Sequence, residues 1–168
     1  IRLLEGTYLG NWTIDSGDLS IIGQGDTSVL KTATTSPVLT VTVTESANGT
    51  GRRYQHFKLD GNARASHGVQ YNVLLGGDHW EGVFFRQVNR GMNLIGSAIG
   101  AHIVNNNWQG ANYGIYARST GSFGLNENLI ANNRFINVDL TAIYMNGEDT
   151  PSLSSGGNYF INNWIESV

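Results

Sequence analysis

The chain has 168 residues, enough for one domain with a continuous core, and only 14% of them are charged, against ~25% in ordinary globular proteins. Its net charge of −3 offers no basic field for nucleic acid, and no run reaches the ~18 apolar residues of a membrane-spanning helix, so neither partner is expected. There is no cysteine, which excludes disulfides and thiolate metal sites, while 22 glycines favour strands and turns over surface helices.

In chain order, the first segment reads as a short strand at Gly6-Thr7-Tyr8, followed by turns at Asp15-Ser16-Gly17 and Gly23-Gln24-Gly25. Pro37 to Thr44 is the clearest single strand, with Leu39, Val41 and Val43 on one face. Glu45 to Arg53 reads as a polar loop whose two arginines are expected in solvent. Residues 1–53 are thus expected to form irregular first coils, and 54–168 regular coils, of one domain spanning 1–168.

From Tyr54 the chain repeats. Ala101 to Arg118, Asn128 to Asn146 and Asn158 to Val168 each open with an apolar residue (Ile103, Ile130, Phe160). Each then has an Asn pair (Asn105–Asn106, Asn132–Asn133, Asn162–Asn163) and a large apolar residue (Trp108, Phe135, Ile165). Gly68, Gly91 and Gly114 lie 23 residues apart, as do Phe57, Trp80 and Ile103. A fixed period of this length marks a stacked repeat, and the short period-2 alternations within each copy mark its unit as strands. The expected fold is all-β: a single-stranded parallel β-helix with coils of about 23 residues, neighbouring coils one inter-strand spacing apart. Phe85, Trp108 and Phe135 should form one inward column, and Val69, Met92, Ile115 and Ile143 another. The Asn pairs should form polar ladders. The last copy stops just after its Asn pair, so both ends of the solenoid are expected to be open.

The opening segment carries a resemblance. Gly6-Thr7-Tyr8, then Leu19-Ser20-Ile21-Ile22-Gly23-Gln24-Gly25, then Thr27-Ser28-Val29-Leu30, with Leu59-Asp60-Gly61-Asn62 in the next coil, is similar to the right-handed parallel β-helices of the pectate-lyase-like superfamily. It most resembles phage tailspikes and tail appendages. The resemblance implies right-handed coils, a homotrimer within a larger assembly, a place on the virion tail, and contact with host surface polysaccharide, with or without depolymerase activity. The alternatives are a secreted polysaccharide lyase, glycoside hydrolase or epimerase, and a purely structural solenoid of a particle or adhesin. No cofactor is expected.

Candidate chemistry follows from residue type and position. Connections lengthen at one corner, at Ser119 to Asn128 and Gly147 to Asn158, and loops on a rigid scaffold are where function concentrates. Asp78, Glu81, Glu127, Glu148 and Asp149 fall near that corner, and two of them at the right separation would serve glycoside hydrolysis. A lyase would need a base such as His79 and a cation such as Arg86 or Arg118 to neutralise a uronate. His56, His79 and His102 share the 23-residue period and read as an outward stack, whose linear spacing does not converge on one metal ion. Lys58 and Glu81 share it too and read as a surface ion pair. Outward Tyr116 and Tyr144, in line with Asn93 and Gln70, read as a carbohydrate-binding row: ring faces for sugar C–H groups, amides for hydroxyls.

Overall fold

The computed structural model describes residues 1–15, 17, 19–42, 51–72, 75–96, 98–119, 125–147 and 156–166. All regular structure among them is β, and parallel strands stack as a solenoid of about five turns. Three sheets run along it, of ten, six and three strands. The long sheet is continuous from Gly6–Leu9 to Trp164–Glu166, so the strands of residues 6–41 already belong to the same stack as the later coils. The strand expected at Pro37–Thr44 is Leu39–Val41, with both apolar residues buried; Val43 lies outside the described residues.

The corners explain the Asn pairs. At one corner the chain turns through His56, Gly82, Asn105, Asn132 and Asn162, all at φ between 49° and 63°. Asn tolerates this left-handed conformation better than most residues, so the first Asn of each pair makes the turn. The second Asn points inward and bridges to the coil before it. Asn106 Nδ2 donates to the Trp80 carbonyl (2.9 Å) while its Oδ1 accepts the Val83 N–H (2.9 Å). Asn133 repeats this on Ile103 O (2.8 Å) and Asn106 N–H (2.9 Å), and Asn163 on Ile130 O (2.8 Å) and Asn133 N–H (3.1 Å). Each amide therefore satisfies the carbonyl and N–H that the turn leaves facing the axis. A second ladder, not read from the sequence, does the same at the corner after the three-stranded sheet. There Asn128 holds Ala98 O and Ala101 N–H, and Asn158 holds Leu125 O and Asn128 N–H.

Inside, Phe85, Trp108 and Phe135 stack with ring centroids 4.9 and 4.5 Å apart and planes within 13° of parallel. The glycine period has its cause here. A Cβ on Gly68 would strike Phe85, one on Gly91 the Trp108 indole, and one on Gly114 the Phe135 ring. The aromatic column fits only because a glycine column faces it. Val69, Met92, Ile115 and Ile143 align as expected.

The period itself needs a correction. Trp80 pairs with Ile103 at 23 residues, then Ile130 and Phe160, but on its other side it pairs with Tyr54, not Phe57. Tyr54 and Trp80 stack at 4.1 Å. Asp60 pairs with Arg86, while His67 pairs with Arg90, so that coil carries three extra residues between them. They form the turn around Asn62–Ala63–Arg64, with Asn62 and Ala63 at positive φ. A turn at a corner costs the sheets nothing, so the period breaks there while the strands keep their pairing. Phe57 stays buried, in the column of Val83, and Lys58 meets the Phe84 ring and not Glu81. At the far end Phe160 and Ile165 keep their register but are 51% and 64% exposed.

Replacing Asn133 by Ala strands the buried Ile103 carbonyl and Asn106 N–H, at about 1–3 kcal/mol for each group left unpaired. Thermal unfolding of Asn133→Ala should show a midpoint lower by several degrees. An unchanged midpoint would mean that solvent already satisfies these groups.

Candidate functional site

The outer face of the long sheet, beyond its bend at Gln87, Gly110 and Asn137, carries the densest polar and aromatic cluster. Gln70, Asn93, Tyr116 and Tyr144 occupy one register position in successive coils, and His67, Arg90, Tyr113 and Thr141 another. Tyr116 and Tyr144 stack at 4.8 Å and 11°, and Tyr113 stands edge-on to both at 5.2 and 6.3 Å. The Arg90 guanidinium lies 3.7 Å above the centre of the Tyr116 ring and 5.7 Å from that of Tyr113.

This arrangement changes the expected use of the tyrosines. Stacking along the solenoid axis turns their faces towards one another, so Tyr116 has Arg90 on one side and Tyr144 on the other. Its face is not open to a sugar; Tyr144 and the phenol edges are what the row offers. Asn93 is likewise internal to the cluster, 3% exposed. Its Oδ1 accepts from Arg90 Nη1 at 2.8 Å, and its Nδ2 donates to Gln70 Oε1 and lies 3.3 Å from His67 Nε2. It positions Arg90 and Gln70. Gln70 in turn donates to Asn72 Oδ1 at 2.8 Å. His67 is held well below the ordinary range, at about 4, by burial and by the adjacent Arg90 charge. Neither Arg90 nor His67 was read as part of the site from the sequence; their one signal was sharing a register position with Tyr113.

A second cluster lies on the six-stranded sheet, in a trough of about 440 Å³ lined by Gly51, Arg53, Gln55, Gly77, His79, Glu81 and His102. Glu81 Oε2 is 3.2 Å from His79 Nε2 and accepts from Gln55 Nε2 at 2.9 Å. The contact with His79, helped by Gln55, lowers the Glu81 pKa. His79 and His102 are in register with ring centroids 5.8 Å apart, but the strand neighbour of His79 on the other side is Arg53. His56 is therefore not part of the histidine stack; it is the turn residue of a corner. Arg86 and Arg118, the cations expected beside His79, lie on the long sheet, and Arg53 takes that place.

The carboxylates separate. Asp78 is fully buried: both its oxygens accept from Arg52 Nε (2.9 and 3.1 Å), and Oδ2 accepts from the Tyr71 hydroxyl (2.8 Å), which itself accepts from Trp80 Nε1 (3.0 Å). Burial raises the Asp78 pKa, while the guanidinium and the tyrosine oppose that rise. Arg52, expected in solvent, is 4% exposed. The Arg52–Asp78 pair occupies the corner position taken by Asn128 and Asn158 in later coils, and the Asp78 carboxylate also accepts the Arg52 backbone N–H as those amides do. Buried in this way, Asp78 belongs to the core of the solenoid. Glu127 is exposed at the same corner, at φ 56° in a column otherwise made of Gly51, Gly77, Gly100 and Gly157. It borders a trough of about 340 Å³ with Ile99, Asn126, Gly156 and Gly157, where no second carboxylate is present among the described residues. Glu148 and Asp149 lie outside the described residues. Among the described residues no group of three His, Asp or Glu side chains is placed to hold a metal ion.

Comparison with protein-family models, with curated proteins and with solved structures finds no match.

The lowered His67 pKa gives a pH signature. The unfolded chain takes up this proton near pH 6.5 and the folded chain only near 4, so the unfolded state binds more protons in between. His67 therefore makes stability fall as pH drops from about 6.5 to about 4. Melting curves of His67→Gln should show a shallower decline across that window than the parent. Identical slopes would mean that His67 is not shielded from solvent.

Proposed function

We propose that this chain is a β-helix module that contacts surface polysaccharide along the outer face of its long sheet, in the manner of a phage tailspike or tail appendage. The observation that carries the reading is the stacked pair Tyr116 and Tyr144, with Tyr113 edge-on to it, Arg90 packed on Tyr116, and Asn93 beneath holding Arg90 and Gln70. A polymer lying along the solenoid axis crosses successive coils, so groups repeated once per coil can meet successive sugar units. Phenol hydroxyls and a guanidinium fixed in place suit sugar hydroxyls and ring substituents, and their mutual packing means little side-chain freedom is lost on binding. The virion-tail setting and the homotrimer rest on the resemblance of the opening segment.

The test is polysaccharide binding by the intact chain. Tyr144→Ala should weaken it about fivefold, the scale of one aromatic contact at about 1 kcal/mol, with little change in thermal stability because Tyr144 is the last ring of the stack among the described residues. Parent-like affinity in this variant would move the ligand to another face.

A second reading, a polysaccharide-cleaving enzyme, is favoured by the His79–Glu81 pair with Arg53 in the trough of the six-stranded sheet. A carboxylate bonded to one ring nitrogen orients the imidazole as a base for the other. If cleavage occurs there, His79→Ala should abolish turnover of a polysaccharide that the parent depolymerises and leave binding at the tyrosine row intact. Turnover retained by His79→Ala would exclude this trough.

A further inference from the structure

Resting on the reading of the tyrosine row as a polysaccharide contact, we infer that the polysaccharide it takes is anionic, and that Arg90 receives its acidic group. The four stretches that build this limb of the sheet, 67–72, 90–96, 113–119 and 141–147, contain no Asp or Glu, although the chain has 13 acidic residues and a net charge of −3. The same stretches hold Arg90 and Arg118. Arg90 has no carboxylate within ion-pair distance among the described residues. Its neighbours are the Tyr116 and Tyr113 rings and the Asn93 amide oxygen. His67, the other ionisable group beside it, is kept neutral above about pH 4 by burial and by Arg90 itself. A half-buried cation in an acidic protein is ordinarily matched by a carboxylate, as Arg52 is by Asp78. Here no described carboxylate takes the place of the anion.

The guanidinium is also aimed. Stacking on Tyr116 fixes its plane, Asn93 holds Nη1, and Nε is enclosed without a partner. Nη2 has no partner among the described residues and is not among the enclosed unpaired atoms, so it is the edge of the fork left to a ligand. The ring neighbours of the guanidinium, Tyr113 and Tyr116, each carry a phenol hydroxyl that can donate. With the Tyr116 ring face covered, what remains is a patch rich in donors and poor in carbonyl or carboxylate acceptors. Such a patch selects ligands rich in acceptor oxygens, and a carboxylate, sulfate or phosphate on a sugar is the strongest partner for a charged donor. A neutral glycan offers the guanidinium only uncharged hydroxyl oxygens, weaker partners than an anionic group.

The experiment uses the whole chain on a panel of bacterial polysaccharides, neutral ones and ones bearing uronate, sialate, sulfate or phosphate groups. Binding is measured at 50 and 300 mM salt. Acidic members should bind, with affinity falling at the higher salt. Chemical reduction of the carboxyl groups of a carboxylated binder should remove at least nine-tenths of its affinity, while a sulfated or phosphorylated binder is unaffected by that treatment, which identifies the acid. Arg90→Gln should lose at least tenfold towards acidic members, and Arg90→Lys less. The carboxyl-reduction and salt arms need no variant, so they decide the matter even where Arg90→Gln is unstable. Preferential binding of neutral members, through Tyr144, would overturn the anionic assignment and leave the polysaccharide reading standing. Acidic members bound equally well by a folded Arg90→Gln would overturn the role of Arg90. No binding to any member would overturn both.

Discussion

The corner is the constraint on which this structure depends. A parallel solenoid must turn the chain several times per coil, and at two of the corners here the turn leaves a carbonyl and an N–H facing the axis, where no strand neighbour can take them. Unpaired and buried, each would cost about 1–3 kcal/mol. One residue at positive φ followed by one inward amide solves this, because a single Asn side chain both donates and accepts. Asn106, Asn133 and Asn163 do so at one corner and Asn128 and Asn158 at another. Coils are thus locked in register at their corners, and the flat stretches between them inherit that register.

Register then decides what can be placed where. Inward, it stacks Phe85, Trp108 and Phe135 and demands glycine opposite each ring. Outward, it stacks Tyr116 on Tyr144 and brings Arg90 over Tyr116. The two columns obey one rule, that equivalent residues in successive coils lie face to face. The interior uses it for packing and the exterior uses it to fix a surface.

What was legible in the sequence follows from the same rule. Columns of repeated chemistry were readable: the Asn pairs, the aromatic column and the glycines at 68, 91 and 114. The Tyr116–Tyr144 alignment was readable too, but not the consequence that alignment closes the Tyr116 ring face. The Phe57–Trp80 pairing was misread because the extra turn at Asn62–Arg64 lengthens one coil while leaving the sheets continuous. Arg52 was misread because its polar neighbours mark a loop, and nothing local reveals that Asp78, one coil on, faces it inside the corner. The Asn128–Asn158 ladder was missed because its counterparts in earlier coils, Asp78 and Ala101, carry different letters. A column is readable where its chemistry repeats, aromatic, aliphatic, amide or glycine, and hidden where the chemistry changes from coil to coil.

The two departures from amide ladders have different physical characters. At the corner after the three-stranded sheet, coils with Asn128 and Asn158 are joined by neutral bonds, while Arg52 and Asp78 join theirs by an ion pair. Removing both charges from water is costly, and a buried pair repays it only with near-complete hydrogen bonding. Asp78 comes close, with Arg52 Nε, the Arg52 N–H and Tyr71, whereas Arg52 Nη1 stays unpartnered. The outer cation, Arg90, is instead only half desolvated, supported by ring faces and one amide oxygen, with no ion-pair partner among the described residues. Between them these two arginines show two ways in which a solenoid with few charges holds a cation. Inside a corner the charge is matched by a carboxylate of the next coil, and on the stacked outer row it is held by ring faces and an amide oxygen.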